Sequence, residues 1–485
     1  MTHLNELQPR ALWHHFLALS AIPRLSCEEG GAAKLVLDHA AALGLEARRD
    51  NYGNVLVRKP ASPGHELSAA VILQAHLDMV GQKRAGSSHD FHKDPLRLHV
   101  KDGWVHATDT TLGADNGVGV AACLAVLGDR GLVHGPLSAL FTVEEEIGLK
   151  GAAKVPVEFL DAPYLINLDS DSPEEVIIGC AGSLDLRLHF RADFSAIPSG
   201  WQALELRVSG CQGGHSGADI HRQRSNGLLE LAGLLDSLPD AEQWRLVSFE
   251  GGDARNAIPR EARAVIVCPP ASLPVLSAEL RQAASATATR VHTEEPGFSF
   301  EVRRIEVPSE AAGSEATRRY VEFLTRCPNG VRHFCVHPKD AVRTSSNLGV
   351  MARAGDSFTA HFLVRSAVDE ERDALGADIM ELGRGLGARS EVLGCYSGWQ
   401  PDATSPLVAV VSKSVQHRLG HPARTAVVHG GLECGLLKGT NPALQCISIG
   451  PRIENMHSPD ERLEIRSMSE YWDILVSTLA SLAKA

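Results

Sequence analysis

The sequence predicts an α/β protein: a mostly parallel, doubly wound sheet with helices on both faces, interrupted by an inserted α+β domain. Three observations carry this. Short apolar runs alternate with helical patterns over residues 1–183 and again over 391–485, the rhythm of strand–helix–strand units. Between 184 and 390 the texture changes to segments of alternating polarity, at 184–190, 203–209 and 262–268, separated by helices; that pattern suits an antiparallel sheet with one wet face. Finally, 485 residues is long enough for more than one domain. The expected organisation is a main domain in two pieces, 1–183 and 391–485, around an insertion at 184–390.

Taken in order, residues 13–19 form the first expected helix. Residues 27–43 form the second, closed by Gly44 just past its end, where a left-handed residue is wanted. Residues 54–58 make a short strand. The run 69–77, Ala-Ala-Val-Ile-Leu-Gln-Ala-His-Leu, lies between Pro63-Gly64 and Gly81 and reads as a buried strand. Trp104 opens another extended segment. A loop from Thr110 to Gly117 feeds an apolar helix at 118–127. Strand 137–143 runs into Glu144-Glu145-Glu146, and strand 164–168 runs into Asp169-Ser170-Asp171. In the insertion, a helix at 273–286 carries Pro274 in its first turn, where no amide donor is needed. The last piece holds a helix at 408–419, strands at 425–428 and 445–449, and a closing helix at 467–482.

Composition narrows the class. The chain is 44% apolar and 22% charged, values of a folded soluble protein. A formal charge of −12 without a basic run argues against nucleic acid or an anionic membrane as partner. No window approaches 18 uncharged apolar residues, and the first ten residues lack the basic and apolar regions of a secretory signal. Ten cysteines are scattered with no Cys-x-x-Cys pair, which suits reduced thiols in a cytoplasm better than a disulfide framework.

The chemistry gathers at strand ends. His76 and Asp78 are two apart on an extended run, so they emerge on one side. That is near the carboxyl end of a strand, where open α/β sheets place ligand sites. Asp115, Glu145, Glu146, Asp169 and His457 each follow an apolar run or sit in the loop after it. Taken singly, such carboxylates serve as helix N-caps. Three consecutive glutamates at one strand end, however, are mutually repulsive unless a cation is present.

Eight stretches together resemble the dinuclear zinc peptidases of family M20, which include aminoacylases and bacterial carboxypeptidases. They are Leu-Gln-Ala-His76-Leu-Asp78-Met-Val, Thr-Leu-Gly-Ala-Asp115-Asn-Gly, Thr-Val-Glu-Glu145-Glu146 and Ile-Asn-Leu-Asp169-Ser. Four more follow: Gly-Gly-His215-Ser-Gly, Ala-Arg-Asn256-Ala-Ile-Pro-Arg-Glu, His-Gly-Gly-Leu-Glu433-Cys-Gly, and His457-Ser-Pro-Asp-Glu. The resemblance implies a metal-dependent dipeptidase for unblocked dipeptides, including Xaa-His. It implies Asp115 as a bridge between two divalent metals, one also held by His76 and Asp169, the other by Glu146 and His457. Three protein ligands per metal leave room for water, as in catalytic zinc sites. Zn²⁺ is expected, with Mn²⁺ or Co²⁺ as substitutes because no thiolate takes part.

By the same resemblance Glu145 is the general base, Asp78 orients His76, and His215 stabilises the oxyanion. Glu144 is one departure, standing where relatives carry Asp or Thr. Asn256 and Arg365 are candidates for the substrate's carboxylate or carbonyl, although Arg365 alone also reads as a strand-end charge. The loop with Gly431 is a candidate for the C-terminal carboxylate, or a plain turn, and Glu433 for the α-ammonium. Family members that lend the histidine across a dimer have insertions about half this size. The 184–390 stretch has room for two ferredoxin-like units, one mimicking the partner's, so His215 is expected to act in cis in a monomer or else across the interface of a homodimer. Two other readings compete: an N-acyl amino-acid amidohydrolase with the same metals, and a metal-binding protein without catalysis, against which the intact Glu145 stands. A nucleotide-binding enzyme is set aside, because no phosphate-binding glycine motif joins a strand to a helix.

Overall fold

The computed structural model describes residues 4–239 and 242–484. It divides into two compact units. One comprises the chain up to Cys180, Trp399–Val427 and Gly431 onward; the other comprises Ala181–Gly398 with Val428–Gly430. The inserted unit thus extends past the expected 184–390 at both ends.

The first unit is built on an eight-stranded sheet. Its strand order is Glu46–Arg49, Val55–Lys59, Leu137–Thr142, Val71–His76, Tyr164–Asn167, Gln445–Ser448, Glu175–Cys180 and Arg424–Val428. The four strands from Leu137–Thr142 to Gln445–Ser448 run parallel, while Val55–Lys59 and Glu46–Arg49 continue antiparallel on one side. Val71–His76 is buried at every position, which is why its sequence is a continuous apolar run without alternation. The helix Ala114–Gly128 is buried along nearly its whole length, so its sequence carries no polar face. By contrast, Arg10–Ser20 buries Leu12, Phe16 and Leu19, and Gly30–Leu43 buries Ala32, Val36 and Ala40, the spacing of one helical stripe. Gly44 closes that second helix at φ 70°, the left-handed cap its sequence announces.

The inserted unit holds two sheets of one design. Gln202–Ser209, helix Gly227–Asp236, Arg245–Glu250, Ala262–Cys268, helix Leu273–Val291 and Ser299–Ile305 follow one another as βαββαβ. Their sheet is antiparallel, with the first and third strands in the middle. That is the ferredoxin-like arrangement. Gly182–Arg191, helix Ser314–Arg326, Val342–Ala354, Ser357–Ser366, helix Asp369–Gly385 and Ala388–Tyr396 repeat it, with Gly330–Phe334 added at one edge. The smaller unit is inserted between the first strand and first helix of the larger. No helix among the described residues is long and apolar enough to cross a membrane.

A histidine trio on the first two helices makes stability pH-dependent. His15 and His39 pack with ring centroids 4.8 Å apart, and His14 lies against His15. Burial, followed by His39 and His14, lowers the His15 pKa to about 4. The unfolded chain therefore binds the extra proton first, and this contribution is lost as pH falls from about 6.5 towards 4. His15→Gln is expected to flatten that part of the stability–pH curve measured by denaturant unfolding. An unchanged acid slope would show that other groups set it.

Candidate metal centre

Three adjacent parallel strands deliver ligands to one edge. His76 ends its strand, Glu145 and Glu146 follow Thr142, and Asp169 lies two residues past Asn167. Asp115 stands in the first turn of Ala114–Gly128 with non-helical backbone angles. His457 comes from a loop between Ile453–Glu454 and Arg462–Glu464, strands that continue the Leu98–Ala107 hairpin into a small sheet. Asn455 and His457 both adopt positive φ, 56° and 60°, so the loop turns sharply and carries the imidazole back.

These side chains converge. His76 Nε2 lies 3.1 Å from Asp115 Oδ1 and 3.5 Å from Asp169 Oδ1. His457 Nε2 lies 3.1 Å from Asp115 Oδ2 and 3.0 Å from Glu146 Oε2. Asp115 therefore turns one oxygen to each histidine, and His76, Asp115 and Glu146 offer donor atoms within 4.8 Å of one another. Glu145 comes no nearer to His76 than 4.0 Å. Glu144 turns away, to Tyr52 Oη at 3.1 Å and Lys150.

Asp78 does more than hold His76. Its carboxylate lies 3.3 Å from His76 Nδ1, accepts Ser26 Oγ–H, and also accepts the backbone N–H groups of Glu145 and Glu146, each at 3.1 Å. One buried carboxylate thus fixes a ligand and the backbone of two glutamates. Burial opposes its charge, yet His76, Ser26 and the Glu145 amide hold its pKa at about 2.

The electrostatics describe a site with excess negative charge. Burial works against charge on His76, but Asp169, Asp115 and Asp78 outweigh it and raise its pKa well above the usual imidazole value. Hydrogen bonds to Asp115 and Glu146 raise His457 to about 10. Burial lifts Asp169 to about 8 against the pull of His76, with Asp115 adding to the lift. Burial, then Asp169, Glu146 and Glu433 acting against His76, drives Glu145 well above its ordinary range. Without cations these groups hold protons that divalent ions would displace. Nitrogen and oxygen donors with no thiolate, one carboxylate opening to both sides, and crowded like charges fit a pair of divalent cations.

In the inserted unit, His215 follows Gly213 and Gly214, whose φ values of 66° and 147° only glycine adopts freely. Its Nδ1 accepts the N–H groups of Gly217 and Ala218, both at 3.2 Å. Nε2 is therefore left to carry the proton of the neutral ring. Burial and Arg365 lower its pKa and favour that neutral form. Arg365 is 5% exposed and donates to Ser216 Oγ at 3.3 Å. Its neighbours are Tyr396 and Arg255, not a carboxylate. His429 bonds Ser345 Oγ at 2.7 Å, beside Arg365 in the strand pairing. Asn256 is exposed, and its carbonyl accepts the Ser216 amide at 2.8 Å.

The sequence pattern of peptidase family M20/M25/M40 matches residues 72–481. The chain belongs to that family. This M20 chain is 37% identical over 482 residues to the cytosol non-specific dipeptidase of Escherichia coli (strain K12), covering 99% of both. Its structure superposes on an aminoacylhistidine dipeptidase from Vibrio alginolyticus with TM-score 0.93 at 36% identity, over 99% of this chain and 98% of that one. A Bacillus cereus aminopeptidase, at 15% identity and TM-score 0.57 over 98% and 99% of the two chains, shares the fold.

One expectation for this M20 chain needs correction. From its sequence Glu433 is expected to take a substrate ammonium, but Glu433 is fully buried at the start of helix Glu433–Thr440. Its Oε2 accepts Gln74 Nε2 at 2.5 Å and Thr142 Oγ1 at 2.9 Å. Asn167 Nδ2 in turn donates to Gln74 Oε1 at 2.6 Å. Gln74, Thr142 and Asn167 stand on the three strands that deliver His76, the glutamates and Asp169. Glu433 therefore ties those strands together from below. Burial lifts its pKa to about 7, against His76 and the hydrogen bonds from Thr142 and Gln74. Gly431 lies half-buried one residue before Leu432, whose carbonyl accepts the Cys180 thiol.

Two residues near the centre carry no assignment in the sequence reading. Glu461, buried, accepts the amides of Leu112, Gly113, Ala114 and Asp115. Arg24, buried, donates to the carbonyls of Leu77, Asp78 and Gly113. Glu461 was visible as the last letter of the His-Ser-Pro-Asp-Glu stretch; Arg24 was a single arginine in no pattern.

Proposed function

We propose that this M20 chain hydrolyses the peptide bond of unblocked dipeptides, with broad preference that includes Xaa-His, using two zinc ions. The observation that supports it most is Asp115, whose two oxygens address two different histidines. His76 and Asp169 would hold one ion, Glu146 and His457 the other, and Asp115 both. When bound, the ions polarise the scissile carbonyl and make water acidic enough to act as a nucleophile near neutral pH.

The chain's own groups do the rest. Glu145 takes the proton of the attacking water and passes it to the leaving amine. Asp78 keeps Glu145 and His76 in register. We assign His215, in the same chain, to the oxyanion through its Nε2–H. Arg365, a buried cation with no carboxylate partner among the described residues, takes the substrate's C-terminal carboxylate, for which Asn256 and the Gly431 loop are the further candidates. Like the relative whose name places it in the cytosol, we assign this protein to the cytoplasm.

The test is one sample assayed three ways. EDTA treatment is expected to abolish Ala-His hydrolysis, and Zn²⁺ to restore it. N-acetyl amino acids are expected to be turned over far more slowly than Ala-His. Indifference to chelation would overturn the metal reading, and preference for the acetylated substrate would make the chain an amidohydrolase.

A further inference from the structure

We infer that Glu461 and Arg24 are a pair of positioning residues that hold the backbone leading into Asp115, Glu461 at the amides of 112–115 and Arg24 at the Gly113 carbonyl, fixing the bridging carboxylate before any metal arrives. The inference rests on the two-metal reading above.

The need for a clamp starts with the helix end. The first amides of a helix have no partner within the helix, and a side chain at the N-cap normally accepts one of them. Here the continuous part of the helix starts only after the kink at Asp115 and Asn116, and Asn116 caps it, its Oδ1 accepting the Gly119 N–H at 3.0 Å; the amides of 112–115 ahead of the kink gain nothing from that cap. Asp115 and Asn116 leave helical geometry, at φ/ψ of −79°/114° and −105°/37°. An Asp115 aimed at two ions cannot also accept these amides. Glu461 does it from a remote loop: Oε2 accepts Leu112 N–H at 2.7 Å and Gly113 N–H at 3.0 Å. Oε1 accepts Ala114 N–H at 2.8 Å and Asp115 N–H at 3.4 Å. A carboxylate is the right group for a helix N-terminus on charge as well as on hydrogen bonding.

Arg24 holds the carbonyl side. Its Nη1 donates to Leu77 O at 2.9 Å and Asp78 O at 2.8 Å, and its Nη2 to Gly113 O at 2.5 Å. The planar fork reaches both segments at once, which an ammonium could not do in this geometry. The glycines of the Gly113-Ala-Asp-Asn-Gly117 stretch make the space. A Cβ on Gly113 would come within 2.6 Å of Arg24 Nη2, and one on Gly117 within 2.8 Å.

The clamp also ties ligand to ligand. Glu461 is four residues past His457 on the same loop, and Arg24 grips the two residues that follow His76. Three chain segments that carry His76, Asp115 and His457 are thus locked to one another through backbone bonds, independently of the ligand side chains.

Hydrogen exchange on the wild-type protein tests it without a mutation. The peptide covering 111–116 is expected to stay equally protected after EDTA removes the metals; loss of protection on chelation would overturn the clamp. Glu461→Gln puts an amide donor where two N–H groups need an acceptor. It is expected to keep near-native circular dichroism yet bind the second Mn²⁺ at least about tenfold more weakly. The electron paramagnetic resonance signal of a spin-coupled Mn²⁺ pair should give way to that of isolated ions. Arg24→Lys is expected to act in the same direction. Unchanged Mn²⁺ affinity and coupling in a folded variant would also refute the inference. Wild type binding fewer than two Mn²⁺ per chain would instead refute the two-metal reading.

Discussion

Glu145→Gln is expected to bind two metal ions per chain and to lose about 10³-fold in kcat, because removing a positioned acid–base group costs roughly 10²–10⁴-fold. The expectation follows from where the side chain is held. The Glu145 amide is pinned by Asp78, and its carboxylate stands 4.0 Å from His76, outside the tight group formed by His76, Asp115 and Glu146. Glutamine has the same shape and leaves that group untouched, but it cannot take a proton. KM should move little, since the loss lies in the chemical step. Elemental analysis and steady-state kinetics on Ala-His decide it. Near-normal kcat would remove Glu145 from the proton-transfer role, and a fall in metal content would make it a ligand.

Asp115→Asn should be more damaging to the site itself. Asp115 alone presents separate oxygens to both histidines, 3.1 Å in each direction. Burial opposes its charge, but His457 and His76 together hold it far below the ordinary carboxylate range. An asparagine offers one oxygen and no charge, so under the two-metal reading one cation would lose its bridge and the other a neutralising neighbour. The affinity for at least one ion is expected to fall by more than about 100-fold, beyond the roughly 10–100-fold typical of groups that only orient a ligand. Asp78→Asn is the matched control, predicted to lie within that smaller range. Isothermal titration of the stripped proteins with Zn²⁺ gives both numbers. Two tight sites in Asp115→Asn would show that the carboxylate does not bridge.

Much of this was readable from the chain because the signals were local. A fully apolar run ending in His-Leu-Asp can hardly be anything but a buried strand delivering polar groups at its end, and Val71–His76 is that. The insertion was visible as a change from continuous apolar runs to alternating ones. Glu433 misled because a carboxylate beside paired glycines looks like a recognition loop. Its burial depends on Gln74 and Thr142, whose partnership at sequence separations of 359 and 291 has no local trace. Arg24 was illegible for the same reason: its three partners are carbonyls, and backbone atoms leave no letter in a sequence. Element ends also shifted, as at the helix Leu273–Val291, which runs past the expected 286 because nothing near that point stops it.

The order in which the ribosome delivers these groups has its own outcome. His457 is 342 residues downstream of Asp115, and the parallel strand Gln445–Ser448 that completes the central sheet is almost as late. In between, translation must supply one βαββαβ unit nested inside another, so Gly182–Arg191 waits for its pairing strand Ser357–Ser366. Pairings over such separations close slowly. A nascent chain would therefore carry His76, Asp115 and Asp169 long before the second histidine emerges. Under the two-metal reading, the second cation's ligand set would be complete only once His457 has been made, and until then the growing chain would hold the first set alone.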